Sequence, residues 1–333
     1  MPDNLPADLR FDREISERPP GYQGPNLSPR GLVLQPHQLG SGVWALMANL
    51  VPKDNSGLIV GDHAALIIDA GINPAVAGQI QRLAAHLTDR PLRYLANTTY
   101  HGDHTFGNQG FPAEVVVVSS AANRDAMTDL DREKRIRAGN LYGDLDALAD
   151  VTVWRRPDVA FDRHLEIDLG GRMVQLWHFG PGNGAGDTIV YEPVTRTAWT
   201  GNFLGHAGIA PMLLEGGPEP YIASLQAMQA TLKVDRIVPG HGPIGDAQAA
   251  IGWMIGYLER LLDAVTDLKG RGLSLEQTLD AVPLPQPPAQ LPASMPALQQ
   301  LSGLNRQLHR LNVLAVYRGL EQRQPSPQAQ PAR

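Results

Sequence analysis

The stretch Asn97-Thr98-Thr99-Tyr100-His101-Gly102-Asp103-His104 sets two imidazoles and a carboxylate, those of His101, Asp103 and His104, within four residues of one another. Such groups in one loop suit a borderline metal such as zinc. The run Arg93 to Ala96 before them reads as a short buried strand. The polar, glycine-containing segment that follows reads as the loop where such a strand delivers side chains into a cleft. The 333-residue chain has no cysteine, which excludes disulfides, thiolate nucleophiles and Cys ligands, and leaves His, Asp and Glu as the metal donors.

The segment resembles the H-x-H-x-D-H signature of the metallo-β-lactamase fold hydrolases, with Thr99 standing where the first His belongs. Three later segments match that family's landmarks in order. His178 to Thr188, HFGPGNGAGDT, is similar to the G-x-x-H-T-x-G-D loop, with Asn183 in place of its His. Thr200-Gly201-Asn202 is similar to T-G-D, with Asn202 in place of the Asp that bridges two metals. Val238-Pro239-Gly240-His241-Gly242-Pro243 keeps the P-G-H-G loop. The resemblance runs from about residue 40 to 245. It implies a first metal site reduced to His101, since Thr99 and Asn183 replace its other imidazoles, and a second site kept whole as Asp103, His104 and His241. The family's single-zinc lactamases also work with the second site, although with a Cys ligand that this chain lacks.

One metal per chain is therefore expected, zinc first, with iron and manganese left open. His101, released from ligation, is expected to carry protons beside the metal, and Asp103 to act in catalysis as well as ligation. Thr99, Asn183 and Asn202 are expected to bind substrate or to mark the vestige of the first site. Asp69, in Ile67-Ile68-Asp69-Ala70-Gly71, resembles the family's strand-end Asp that supports the metal loop. Asp187 is read as ordering its own loop, and His178 and His206 as residues flanking the motif loops. His37, His63, His86, His164 and His309 sit in no pattern.

The expected activity is hydrolysis of an ester, thioester, lactone or amide in a small-molecule substrate. Two alternatives stand beside it: a non-hydrolytic lyase, cyclase or isomerase of secondary metabolism, and a metal-free binding or regulatory protein. A net charge of -6 with no Lys/Arg-rich run argues against nucleic acid and anionic membranes. Met1 to Pro20 lacks the apolar core of a signal peptide, and no later apolar run reaches the roughly 18 residues of a membrane span. The expected location is the cytoplasm, with homo-oligomerisation left open.

The elements that must hold these groups follow from periodicity. Val43 to Leu50, Gly57 to Val60 and Ala64 to Ala70 read as a β-meander, with turn chemistry at Lys53-Asp54-Asn55-Ser56-Gly57. Pro74 to Leu87 has helical spacing, Glu114 to Ser119 reads as a strand, and Ala121 to about Gly139 reads as a helix. Strands at Leu165 to Leu169, Met173 to Trp177, Thr188 to Tyr191 and Thr197 to Thr200, a helix at Tyr221 to Leu232 and a strand at Arg236 to Val238 repeat that order. Helices follow at about Asp246 to Lys269 and Ala297 to Gln322, the latter with Leu301, Leu304, Leu308, Leu311, Leu314 and Ala315 on one face. The expected fold class is α+β, a four-layer αββα sandwich. Its expected division is an extended arm at 1–35, the sandwich at 36–272, a helical extension at 273–322 and a disordered tail at 323–333.

Overall fold

A computed structural model describes residues 18–213, 217–284 and 296–323, with side chains in the last segment from 303 onward. Much of the expected arm, the Pro-rich linker at 283–296 and the tail fall outside the described residues. The first sheet runs in chain order: β1 (Leu34–Gly40), β2 (Val43–Ala48), β3 (Ser56–Val60), β4 (Ala65–Ile68), then after α1 (Pro74–Leu87) β5 (Leu92–Ala96), after the single turn α2 (Gly102–Thr105) β6 (Val116–Ser120), and after α3 (Ala121–Ala126) and α4 (Leu130–Ala138) β7 (Val159–Phe161). Strands β1 to β4 pair antiparallel and β4 to β7 parallel.

The second sheet is β13-β12-β11-β10-β9-β8. It comprises β8 (His164–Asp168), β9 (Met173–Trp177), β10 (Ile189–Glu192), β11 (Thr197–Gly201), β12 (Arg236–Pro239) and β13 (Gly245–Asp246), with α5 (Pro218–Thr231) as the crossover between the parallel strands β11 and β12. Helices α6 (Ala247–Gly270), α7 (Leu275–Ala281) and α8 (Pro296–Arg323) follow.

Strand alternation makes the layers. In β4, Ala65 and Ile67 pack with Val76 and Ile80 of α1, whereas Leu66 and Ile68 point between the sheets. In β12, Val238 joins that inter-sheet core while Ile237 faces the helical layer, where Tyr221 of α5, Met254 and Tyr257 of α6, and Leu314 of α8 gather. Three successive cores separate four layers, αββα, with α7 and α8 as a helical extension.

Three details depart from the sequence-based expectation. Regular structure begins at Leu34, before Val43, because β1 is an edge strand: of its residues only Leu34 is buried, so it shows no alternation, and an edge tolerates Pro36. The helix expected from Ala121 to Gly139 is broken at Met127 and Thr128, and the Asp129 side chain caps the second piece by accepting from the Arg132 N–H. Helix α7, absent from the periodicity reading, starts on a capping box in which Ser274 and Gln277 exchange hydrogen bonds.

Candidate metal centre

The site lies where the ends of β4, β5 and β12 meet the turn between β2 and β3. The backbone after β5 passes into α2, whose single turn buries both Asp103 and His104, with His101 at its N-cap position. Strand β4 ends in Asp69, which adopts a left-handed φ of 59°. Its carboxylate accepts from the Thr98 N–H at 2.8 Å and the Thr98 hydroxyl at 2.6 Å, and lies 2.9 Å from His104 Nδ1. The expectation for Asp69 thus has a geometric counterpart: it fixes both the strand end and the imidazole.

His241 arrives on the loop after β12. Asn55 pins that loop to the first half of the molecule, its amide donating to the Pro239 carbonyl at 2.9 Å and the Gly242 carbonyl at 2.8 Å, while its own N–H donates to Gly240. Gly240 is required by close approach: a Cβ there would lie 2.6 Å from His104 Cε1. His241 Nδ1 donates to the Pro52 carbonyl at 2.7 Å. Both imidazoles are thereby held by Nδ1, with Nε2 turned toward the same point.

The structure adds a fourth residue there. Asp54, which the sequence reading treats as turn chemistry, forms a β-bridge with His241 and is 3% exposed. Asp54, Asp103, His104 and His241 each offer a ligand atom, all within 4.8 Å of one another. The carboxylate count at this point is two, against the one that the motifs suggest. Asp54 lies far upstream of the H-x-D-H loop in a segment rich in turn formers, and its only sequence signal was an acid beside the Asn-Ser-Gly entry to a buried strand.

Charge around this point is unbalanced. The carboxylates of Asp54, Asp69, Asp103 and Glu133 are all buried, and the guanidinium of Arg137 contacts two of them, Asp103 Oδ1 at 3.1 Å and Glu133 Oε1 at 3.0 Å. Burial makes such an excess costly unless protons or a cation offset it. Burial, reinforced by the charge of Asp103, pushes the Asp54 carboxyl well above the usual carboxylate range. Burial also pushes Asp103 upward, but Arg137, with His104 and His241, outweighs it and holds that carboxyl well below the usual range. For His104, burial opposes the charged form, yet Asp69 and Asp103 prevail and raise its pKa. His104 Nε2 and Asp54 Oδ1 are buried with no hydrogen-bond partner. Two imidazoles and two carboxylates converging here, two of their ligand atoms buried without a partner, fit a divalent cation.

His101 stands outside this group. Its Nδ1 lies 3.0 Å from Asn202 Nδ2; with the amide as donor, Nδ1 carries the lone pair and the ring proton sits on Nε2. Asn183 is turned away from ligation, its amide donating to the Met212 carbonyl at 2.8 Å. Thr99 is fully buried with an unpartnered hydroxyl and does not line the cleft, whereas His101, Asn183 and Asn202 do. Asp187 accepts from the Gly184 N–H inside its own loop, and His178 donates to the Asp187 carbonyl. His206 bonds to the neighbouring Ala207 carbonyl. Neither of these two histidines lines the cleft. The cleft above the His101, Asp103 and His241 side chains has a volume of about 110 Å³.

A sequence model of the metallo-beta-lactamase superfamily matches residues 53–241. Among solved structures, a metallo-beta-lactamase from Pontibacter korlensis is similar over 68% of this chain and 99% of its own, at 20% identity and a TM-score of 0.54. One from Erythrobacter litoralis, with beta mercaptoethanol in its active site, is similar over 68% and 99%, at 17% identity and a TM-score of 0.53. A double mutant of the sec-alkyl sulfatase PisA1 is similar over 89% of this chain and 52% of its own, at 14% identity and a TM-score of 0.63. At these identities the likeness is one of fold.

Proposed function

The chain belongs to the metallo-beta-lactamase superfamily, a family largely of metallo-hydrolases, and on that premise we propose that it hydrolyses an ester, thioester, lactone or amide with one metal ion held by Asp54, Asp103, His104 and His241. The observation that carries the proposal is the convergence of those four groups within 4.8 Å, with His104 Nε2 and Asp54 Oδ1 buried and without a hydrogen-bond partner. Zinc suits two imidazoles and two carboxylates, and iron or manganese would accept the same donors. When bound, the cation supplies Lewis-acid polarisation of a carbonyl and eases the ionisation of water.

The protein's own groups do the rest. Asp69 and the Pro52 carbonyl fix the two imidazoles by Nδ1, so that each presents Nε2 without reorientation. Arg137 occupies Asp103 Oδ1 and leaves Oδ2 toward the cluster, 3.4 Å from His241 Nε2. His101, held by Asn202 with its proton on Nε2, delivers that proton to the leaving oxygen, sulfur or nitrogen and regains one from the attacking water. A single-metal site is supported by the first-site positions: the Asn183 amide is committed to Met212, Asn202 to His101, and among the described residues no second cluster of three or more ligand side chains forms.

The experiment is elemental analysis of protein purified without added metal, paired with turnover of an activated ester such as 4-nitrophenyl acetate. One equivalent per chain is expected. His101→Ala should retain it while turnover falls about 100-fold or more. Two equivalents, or loss of metal in His101→Ala, would overturn the assignment of roles. No metal, with a melting temperature indifferent to chelators, would favour the metal-free binding protein, and a product isomeric with its substrate would favour the non-hydrolytic enzyme.

A further inference from the structure

The walls of the cleft differ in kind from its floor. Leu304 and Leu308 of α8, Ile209 and Met212 of the loop after β11, Met254 of α6 and Leu27 of the segment before β1 line it. The spacing of four places Leu304 and Leu308 on one face of α8, and a parallel stripe on that helix is polar. Asn305 accepts from the Ala210 N–H at 2.6 Å and donates to the Gly208 carbonyl at 2.7 Å. Asn312 accepts from the Leu213 N–H at 2.9 Å and donates to the Pro211 carbonyl at 2.7 Å. Two asparagines thus hold the loop as a backbone strand would, and Asn183 completes the clamp from below by donating to the Met212 carbonyl. A loop tied at residues 208, 210, 211, 212 and 213 is a preformed wall.

The charges and polar atoms facing the cleft narrow what fits. Among the described residues that line it, the cationic side chain away from the imidazoles is Arg137, and its guanidinium is already engaged by Asp103 and Glu133. Away from the metal centre on the floor, no described side chain of the walls would neutralise a carboxylate, sulfate or phosphate, and desolvating such a group against Leu, Ile and Met is unfavourable. A buried acceptor is available instead. Asn183 Oδ1 is buried with no hydrogen-bond partner in a residue that is 3% exposed and lines the cleft. A buried carbonyl left without a donor is costly, so the complementary ligand supplies one.

We infer that the cleft takes a neutral, largely apolar small molecule that presents one N–H or O–H to Asn183 Oδ1, selected by the wall that α8 and the 208–213 loop build together. This deepens the hydrolase reading and rests on it for the claim that the bound molecule is a substrate. Asn305 and Asn312 act on it as positioning residues, through the loop.

The test uses the full chain and two fluorescent probes of one skeleton. N-phenyl-1-naphthylamine is neutral, apolar and carries one N–H; 8-anilinonaphthalene-1-sulfonate adds a sulfonate. The neutral probe is expected to bind one per chain and at least tenfold more tightly than the anionic one. 1-Phenoxynaphthalene, which replaces the N–H by an ether oxygen, should compete at least fivefold less well than the amine. Ile209→Trp, which fills a partly buried wall position, should weaken the amine at least tenfold with metal content and melting temperature unchanged. Asn312→Leu, which frees the loop, should weaken it too while leaving metal content intact. Equal affinity for the sulfonate, equal competition by the ether, or an Ile209→Trp protein that binds undiminished would overturn the inference. A chain that binds the amine as described yet hydrolyses no ester sinks the hydrolase reading alone, and one that cleaves 4-nitrophenyl acetate but does not bind the amine sinks this inference alone.

Discussion

Asp69 Oδ2 lies 2.9 Å from His104 Nδ1 while the same carboxylate takes both donors of Thr98, so one side chain joins the end of β4, the loop after β5 and an imidazole of the metal centre. Asp69→Asn is the informative change, because asparagine tolerates the left-handed backbone that residue 69 adopts. It removes the charge and one acceptor and leaves the turn. Zinc affinity, measured by competition with a chromophoric chelator, is expected to fall about 10- to 100-fold. An unchanged affinity would mean that His104 is oriented by packing alone.

Asp54 makes a second test. In the cation-free protein burial, reinforced by the charge of Asp103, pushes its carboxyl well above the usual range, which favours the neutral form. Asp54→Asn mimics that neutral form closely in shape. The metal-free variant should therefore melt at or near the temperature of the metal-free parent, whereas the stabilisation gained on adding zinc should shrink by several degrees. A full metal-induced gain would remove Asp54 from the ligand set.

Asn202 sets the tautomer of His101, and changing its chemistry should move a pH profile. Asn202→Asp puts a carboxylate against Nδ1, which turns that nitrogen into a donor and gives the imidazolium a counter-charge. The limb of the kcat/KM profile that belongs to His101 is expected to shift to higher pH by about 1 unit or more. If the limb stays in place, the proton carrier is another group.

Much of the scaffold was legible in the sequence because it is written in local periodicity. The 3–4 spacing of α1 is sufficient to place its apolar side chains on the right face, and the unbroken apolar run of β4 marks a strand buried on both faces. Asp103, His104 and His241 were legible for a different reason: short motifs carried them in family order. Asp54 was not, since an acid in a Lys-Asp-Asn-Ser-Gly segment looks like any turn until the bridge to His241 draws it inward. Nor was the role of α8. Its apolar stripe was visible, but that Asn305 and Asn312 would spend their amides on a loop a hundred residues away depends on tertiary docking. The break at Met127 and Thr128 was missed because Ala, Asp and Arg are good helix company on both sides of it.

His309 links that docking to acidity. It is buried on the inner face of α8, with Nε2 facing the Val282 carbonyl at 3.2 Å and Nδ1 facing the Tyr257 hydroxyl of α6 at 3.1 Å. Burial, with the nearby Arg310 charge, lowers its pKa from the ordinary 6.5. The unfolded chain therefore takes up a proton that the folded one refuses. Stability from this group is fully present above about pH 6.5 and is lost as the pH falls toward the lowered folded value, at up to about 1.4 kcal/mol per pH unit. Calorimetry between pH 7.5 and 5 should show a steeper fall in melting temperature for the parent than for His309→Gln. Parallel curves would contradict it.

Because α8 furnishes one wall of the cleft from more than sixty residues beyond His241, the last residue of the candidate metal centre, reactivity and acceptance are inherited by different stretches of the chain. Exchanging Leu304 or Leu308 can retune which guest is welcomed while the ion's cradle, knitted together by Asn55 and Asp69, goes undisturbed. Retailoring of this protein toward bulkier or slimmer molecules should therefore begin at α8.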